Sequence, residues 1–118
     1  MKKILVIEDE ELMLKSLEFK LKKDGYDVVT APDGRVGSNL VKEQDFDLII
    51  TDIMMPFVSG LEIVSLVKKE LKKKVPVIIL SAVGLENVVM EAFELGADDF
   101  ITKPFMLGEL SIRVKKLL

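Results

Sequence analysis

The chain has 118 residues, of which 49% are apolar, and its net charge at pH 7 is −3. This length suits one domain with a sizeable core, and the slightly negative charge gives no electrostatic reason for binding nucleic acid. No apolar run approaches the ~20 residues of a membrane span, and the run after Lys2-Lys3 is too short for a secretory signal, so we expect a cytoplasmic protein. The sequence contains neither cysteine nor histidine, which excludes disulfides and metal sites built from thiolate or imidazole.

Strand-like and helix-like segments alternate along the whole sequence. Short β-branched apolar runs indicate strands buried on both faces, and apolar residues at three- and four-residue spacing indicate helices. In chain order, the sequence predicts a strand over Lys2–Ile7, a helix over Glu10–Lys23, a strand over Tyr26–Thr30, a helix over Asp33–Glu43, a strand over Asp47–Thr51, a helix over Leu61–Lys73, a strand over Val75–Leu80, a helix over Glu86–Leu95, a strand over Asp98–Thr102 and a helix over Leu107–Leu118. Gly25 and Gly96 are expected to end their helices as C-caps.

This alternation predicts an α/β fold, a three-layer (βα)5 sandwich with one parallel sheet between two layers of helices. Because crossovers between parallel strands are right-handed, few topologies remain, and the flavodoxin-like strand order 2-1-3-4-5 is the commonest for five units. The order reverses between strands 1 and 3. Ligands bind at such a switch point, outside the carboxyl ends of the strands.

Four of the five predicted strands run into a polar side chain that can do chemistry. Glu8-Asp9 follows the first strand, Asp52 the third, Ser81 the fourth and Lys103 the fifth. Three clustered carboxylates repel one another, and a hard cation such as Mg²⁺ relieves that repulsion. Asp52 is then the candidate nucleophile for a phosphoryl group, Ser81 a donor to a phosphoryl oxygen and Lys103 a stabilising cation.

Each of these residues also has an ordinary structural explanation. Glu8-Asp9 could be the acidic start of a helix, favoured by the helix dipole. Asp52 could cap a loop, Ser81 could be an exposed hydroxyl, and Lys103 could be a surface lysine. The first explanation does not account for Asp52, which follows a separate buried strand. The Lys103–Pro104 bond is also a candidate cis peptide, because cis bonds occur chiefly before proline.

Five motifs together resemble a known family. They are ILVIEDE at 4–10, DLIITDIMMP at 47–56, SGLE at 59–62, VIILSA at 77–82 and GADDFITKPF at 96–105. The chain resembles a response-regulator receiver domain, the phosphoacceptor module of two-component signalling. The resemblance extends over essentially the whole chain, residues 1–118.

The resemblance implies a phosphorylation site and its metal. Asp52 would be the phosphorylated residue, and Lys103 would contact the phosphate. Asp9, Asp52 and the backbone carbonyl of Met54 would bind Mg²⁺ directly, with Mn²⁺ able to substitute, and Glu8 would act mainly through water. The domain would be a phosphoacceptor rather than a conventional enzyme, with self-phosphorylation and slow autodephosphorylation as its own chemistry.

The resemblance also implies a switch and its partners. Ser81 would be the switch hydroxyl and Phe100 the switch aromatic, and together they would change the surface of helix 4, strand 5 and helix 5. A sensor histidine kinase or a phosphotransfer protein would donate the phosphoryl group. A downstream effector or a fused output domain would receive the signal, with no direct contact to nucleic acid or membrane.

Several positions depart from the usual family pattern. Gly37 and the serine after it stand where Ala-Leu is usual, so we expect loose packing of helix 2. Val83, Leu85 and Val88 make the start of helix 4 unusually apolar, and we predict a partner surface there. Burial in the core is the alternative, although a stripe of Val89, Ala92 and Phe93 would already face inward.

Two of these positions bear on the lifetime of the phosphorylated state. In the family, the side chains two residues beyond the acceptor and two beyond the switch hydroxyl flank the path of attacking water. They are Met54 and Val83 here, and neither can orient a water molecule, so we expect slow dephosphorylation.

Three rival functions would need residues that this sequence lacks or would be expected to lack residues that it has. A flavodoxin would need a phosphate-cradling loop after the first strand, where this chain has four acidic residues. A Mg²⁺-dependent phosphohydrolase working through an aspartyl phosphate is the alternative enzyme, but its acid two residues beyond the nucleophile would be Met54. A binding module independent of phosphorylation would be expected to have lost Asp52, Lys103 or the acidic pair.

Overall fold

The computed structural model describes residues 1–118 and confirms the predicted alternation of strands and helices. Its elements are β1 (Lys3–Ile7), α1 (Glu11–Lys23), β2 (Asp27–Ala31), α2 (Gly34–Glu43), β3 (Leu48–Asp52), α3 (Gly60–Ser65, continued by a π-helical segment over Leu66–Glu70), β4 (Val77–Ala82), α4 (Glu86–Leu95), β5 (Asp99–Lys103) and α5 (Leu107–Leu117). None of these helices has the length and apolar character needed to cross a membrane.

The five strands form one parallel sheet in the order β2-β1-β3-β4-β5, as predicted. Alternate strand residues face opposite sides of the sheet, as the two-residue period of a strand requires. Leu5 and Ile7 join a buried cluster with residues of α2, α3 and α4, whereas Ile4 and Val6 join a second cluster with residues of α1 and α5. The sheet is therefore covered on both faces, which explains its unbroken apolar strands.

The two glycine caps predicted from the sequence are both present. Gly25 has a φ of 97° and Gly96 a φ of 115°, values that favour glycine. Gly25 N donates to the Lys22 carbonyl and Tyr26 N to the Leu21 carbonyl, which is the Schellman pattern that closes a helix.

The expectation that α2 packs loosely is wrong. Gly37 is buried, and a Cβ atom added to it would lie 2.5 Å from Ile7 Cδ1 on β1. At the start of the same helix, a Cβ added to Gly34 would overlap the Val58 carbonyl oxygen. The small residues therefore permit α2 to lie very close to the sheet and to the loop after β3.

The prediction for α3 extends too far along the chain. The helix was expected to reach Lys73, but the α-helical turns end at Ser65 and the π-helical segment ends at Glu70. Lys72 then adopts a positive φ of 52°, which reverses the chain before β4. Within the π-helical segment, Lys68 Nζ donates to the Val75 carbonyl at 2.8 Å and to Asp98 Oδ2 at 3.0 Å, so it ties α3 to the starts of β4 and β5.

Candidate phosphoacceptor site

The register of the sheet brings the predicted site residues to one edge. Ile7 pairs with Thr51 across β1 and β3, so Glu8 and Asp52 follow neighbouring residues of adjacent strands. On the other side of β3, Ser81 lies in β4, and Lys103 pairs with the next residue of β4. Four separate strand ends therefore contribute to one site, as the order of the sheet predicted.

The three carboxylates form a compact group that suits a divalent cation. Ligand oxygens of Glu8, Asp9 and Asp52 lie within 4.8 Å of one another. Glu8 and Asp52 are buried, while Asp9 is exposed at the mouth of the group. Because hard cations such as Mg²⁺ prefer carboxylate oxygens with room left for water and phosphate, this donor set fits the implied metal.

Backbone amides hold two of these carboxylates in place. Glu10 N donates to Glu8 Oε1 at 3.1 Å, and Ile53 N donates to Asp52 Oδ1 at 2.9 Å. One oxygen of each carboxylate is thus fixed by the chain next to it. The other oxygen of each points to the same lysine.

Lys103 joins the two buried carboxylates. Its Nζ lies 2.9 Å from Glu8 Oε2 and 3.0 Å from Asp52 Oδ2. The peptide bond between Lys103 and Pro104 is cis. The sequence placed this lysine at the edge as a cation for phosphoryl oxygens, but it gave no sign of the ion pair with Glu8.

The site carries more negative than positive charge, and its pKa values reflect this. Burial raises the pKa of Glu8 to about 7; the bond from Lys103 lowers it, and the charge of Asp52 adds to the increase. Burial works against the charge of Lys103 as well, but its bonds to Glu8 and Asp52 outweigh this and raise the pKa of Lys103. The group has three carboxylates and one ammonium, so a bound cation would offset the excess negative charge.

Ser81 and Phe100 both line one apolar groove. The groove has a volume of about 260 Å³ and is bounded by the end of β4, by α4 and by β5. Ser81 is buried where β4 borders the groove, whereas Phe100 is 37% exposed and its ring packs edge-on against Phe93, with ring centroids 5.8 Å apart. Phe100 and the buried Ser81 thus border the same space.

The three residues predicted as a partner surface are not equivalent. Val83 is 74% exposed, but Leu85 and Val88 are partly buried against the core cluster under α4. The expected inward stripe of α4 also needs correction, because Val89 and Ala92 are buried while Phe93 turns toward the groove. Leu85 and Val88 thus follow the alternative, burial against the core. Val83 is the one of the three that is exposed on the surface.

Comparison with known proteins assigns the family. Residues 4–115 match the family described as the response regulator receiver domain. The chain belongs to the response-regulator receiver family. It is also similar to the receiver domain of the Francisella response regulator 1452, with 34% identity, a TM-score of 0.91, and coverage of 99% of this chain and 96% of that one.

Two other similar structures differ in how much of their own chain the match covers. The chemotaxis response regulator CheY4 of Vibrio cholerae has 30% identity and a TM-score of 0.91, with 100% of this chain and 99% of that chain covered. Full-length FixJ from B. japonicum has 28% identity and a TM-score of 0.90, but the match covers 98% of this chain and only 57% of that one. Similar receiver domains thus occur alone and as parts of longer proteins.

The sequence does not predict two features of this receiver domain. Thr102 lines the groove beside Phe100, and the Phe93 ring packs edge-on against the Phe100 ring. Phe93 was assigned to the core because its spacing from Val89 and Ala92 fits a helical stripe. In the structure Phe93 is instead 38% exposed and lines the groove beside β5.

Proposed function

We propose that Asp52 accepts a phosphoryl group from the phosphohistidine of a partner protein and that this modification switches the α4–β5–α5 surface. The observation that carries the proposal is the convergence of Glu8, Asp9 and Asp52 with the Lys103 ammonium, which lies 3.0 Å from Asp52 Oδ2. Membership of the receiver family supports it further. The chain itself contains no histidine, so a phosphohistidine donor must be another protein.

The residues of the site have distinct parts in the transfer. An oxygen of Asp52 attacks the phosphorus in line, the new O–P bond forms, and the N–P bond to the partner's imidazole breaks. Lys103 lies close enough to Asp52 to move onto an oxygen of the transferred group and neutralise its charge. Ile53 N keeps the other Asp52 oxygen oriented during the attack.

Asp9, Asp52 and the Met54 carbonyl would hold the metal of this site directly. Glu8 would act on it mainly through water. When bound, Mg²⁺ or Mn²⁺ would supply positive charge beside the equatorial phosphoryl oxygens. The buried Glu8 carboxyl, whose pKa burial raises to about 7, gives up its proton more readily when a cation lies nearby.

The switch follows from the groove between β4, α4 and β5. A phosphoryl group on Asp52 gives the Ser81 hydroxyl a strong acceptor, and movement of Ser81 enlarges the groove that it lines together with Phe100. Phe100 then has space to leave Phe93 and turn inward. Because a partner contacts the two positions of Phe100 differently, phosphorylation shifts the population of surfaces that the partner meets.

The phosphohydrolase alternative receives less support from this chain. It would require an acid or base two residues beyond Asp52, and Met54 stands there with an exposed thioether side chain. We therefore propose that hydrolysis of the aspartyl phosphate is a slow side reaction, with Met54 and Val83 at the water's path.

The partners that we propose are a phosphoryl donor and an effector. A sensor histidine kinase or a phosphotransfer protein would donate the phosphoryl group, and an effector or a fused output domain would read the switched surface. We propose a cytoplasmic location, because histidine kinases draw their phosphoryl groups from ATP. Val83, Phe93 and Phe100 are the exposed apolar residues with which an effector would make contact.

The experiment that tests the proposal is phosphorylation by a small donor. The protein is incubated with acetyl phosphate and Mg²⁺, and its mass is measured. We expect one added phosphoryl group in the wild type and in the control Asp45→Asn, whose side chain is 95% exposed, but none in Asp52→Asn or with EDTA. Phosphoryl label that persists on Asp52→Asn would rule out the assignment of the acceptor.

A further inference from the structure

The loop between β3 and α3 contains a backbone conformation that side chains rarely adopt. Phe57 has a φ of 71°, and Val58 N donates to the Pro56 carbonyl at 2.9 Å across it. A three-residue turn with a positive φ at its centre is rare and strained. Such a conformation persists only where surrounding contacts hold it, and strained residues of this kind cluster at functional sites.

Arg35, the second residue of α2, provides one such contact. Its guanidinium carbon lies 3.8 Å from the centroid of the Phe57 ring, within the range of a cation–π interaction. Phe57 is still 66% exposed with the guanidinium in place, so the ring has little other cover. The start of α2 also touches the loop backbone directly, because Gly34 packs against the Val58 carbonyl with no room for a Cβ atom.

The same loop is fastened to the phosphoacceptor. Gly60 N donates to the Ile53 carbonyl at 2.8 Å and so closes the loop. A Cβ added to Gly60 would overlap the Asp52 carbonyl oxygen, so the start of α3 lies directly against the acceptor's backbone. The Met54 carbonyl, a proposed cation ligand, belongs to this closed loop and precedes the strained Phe57 by three residues.

We propose that Arg35 and Phe57 are positioning residues: their stack holds the strained turn, and through it the Met54 carbonyl, in the geometry that cation binding requires. The inference rests on the proposed function, since it concerns the cation of that site. Neither residue is one of the groups proposed to bind the cation or to accept the phosphoryl group. Their effect passes through the loop backbone, and it makes α2 part of the site.

Two measurements test the inference on the intact protein. The first counts free Mn²⁺ by electron paramagnetic resonance at physiological salt, where the charge of Arg35 is screened beyond about 8 Å. The second follows hydrogen exchange of the Val58 and Gly60 amides in EDTA, which requires no metal. Phe57→Leu removes the aromatic ring and keeps the charge of Arg35. Arg35→Met removes the guanidinium, and Arg35→Lys keeps a positive side chain at that position.

We expect Phe57→Leu and Arg35→Met each to weaken Mn²⁺ binding by about two- to fivefold, which is the loss of an exposed cation–π contact. The double variant should bind Mn²⁺ no more weakly than either single variant, because the two substitutions remove the same contact. Both amides should exchange faster in EDTA by a similar factor, and Arg35→Lys should recover part of each loss. A matched control is Lys3→Met, which removes a cation–π contact with Phe46 at the opposite edge of the sheet and should leave Mn²⁺ affinity unchanged.

The outcomes separate this inference from the proposed function. If the wild type binds no Mn²⁺ and accepts no phosphoryl group, the proposed function itself fails. If the wild type binds the ion and Phe57→Leu binds it equally well, only the positioning role is overturned. Tighter binding by Arg35→Met alone would identify Arg35 as a distant repelling charge, which also overturns the role of the stack.

Discussion

Replacing Glu8 with glutamine should change how the stability of the protein depends on pH. Glu8 is fully buried, and its pKa is raised from 4.5 to about 7, first of all by burial. A carboxyl with a higher pKa in the folded than in the unfolded state binds its proton more tightly when folded. Its contribution to stability is therefore complete below about pH 4.5 and is lost as the pH rises through 7.

The magnitude follows from the size of the shift. Each pKa unit corresponds to about 1.4 kcal/mol, so the wild type loses about 3 kcal/mol of stability at Glu8 between acid and mildly alkaline solution. A neutral amide of the same shape has no proton to lose. In EDTA, Glu8→Gln should therefore resemble the wild type at pH 5 and exceed its free energy of unfolding by about 2 to 3 kcal/mol at pH 8.

Urea unfolding followed by circular dichroism between pH 5 and pH 8 measures this difference, with EDTA present throughout. Glu10→Gln is the matched control, because Glu10 is an exposed carboxylate two residues along the chain. Its pH dependence should follow that of the wild type. Equal pH dependence of the wild type and Glu8→Gln would refute the claim that a buried, partly compensated carboxylate governs this site.

Three further predictions concern packing, charge and the lifetime of the modified state. Gly37→Ala should destabilise the protein by about 1 to 2 kcal/mol, because the new Cβ would meet Ile7 and the strain outweighs the better helix propensity. Gly108→Ala, which has open space around its new Cβ, should instead stabilise the protein. Chemical denaturation of both variants measures the difference. Asp9→Asn should melt higher than the wild type in EDTA and lose the stabilisation by Mg²⁺, so a lower melting temperature in EDTA contradicts the repulsion between carboxylates. The aspartyl phosphate of the isolated protein should decay slowly at neutral pH, and Met54→Asn should change its rate more than most surface substitutions; decay of the wild type within seconds would disprove the argument from blocked water.

Much of the site could be predicted because the topology follows from local patterns. Unbroken apolar runs identified buried parallel strands, and five alternations limited the sheet to very few orders. Each strand that ended in Glu8, Asp52, Ser81 or Lys103 then had to deliver that residue to the same edge. The predicted strand order is the observed one, and the carboxylate cluster lies where that order requires.

Local patterns could not predict which residues touch across the fold. The bond between Lys103 and Glu8 joins positions 95 residues apart. Gly37 looked like a weakness in α2, because helix propensity describes the isolated helix and not the distance to Ile7 on the sheet. Its absent side chain is what lets the helix approach.

The sequence by itself determined the order of the elements, the edge where the site lies and the chemical types of the groups that meet there. Only the tertiary structure decided that Glu8 is buried against Lys103, that Phe93 leaves the core to pack on Phe100, and that Arg35 covers Phe57. The reason is physical: periodicity reports which face of an element is apolar, whereas these contacts depend on distances between elements. Those distances are set by the close packing of the whole core.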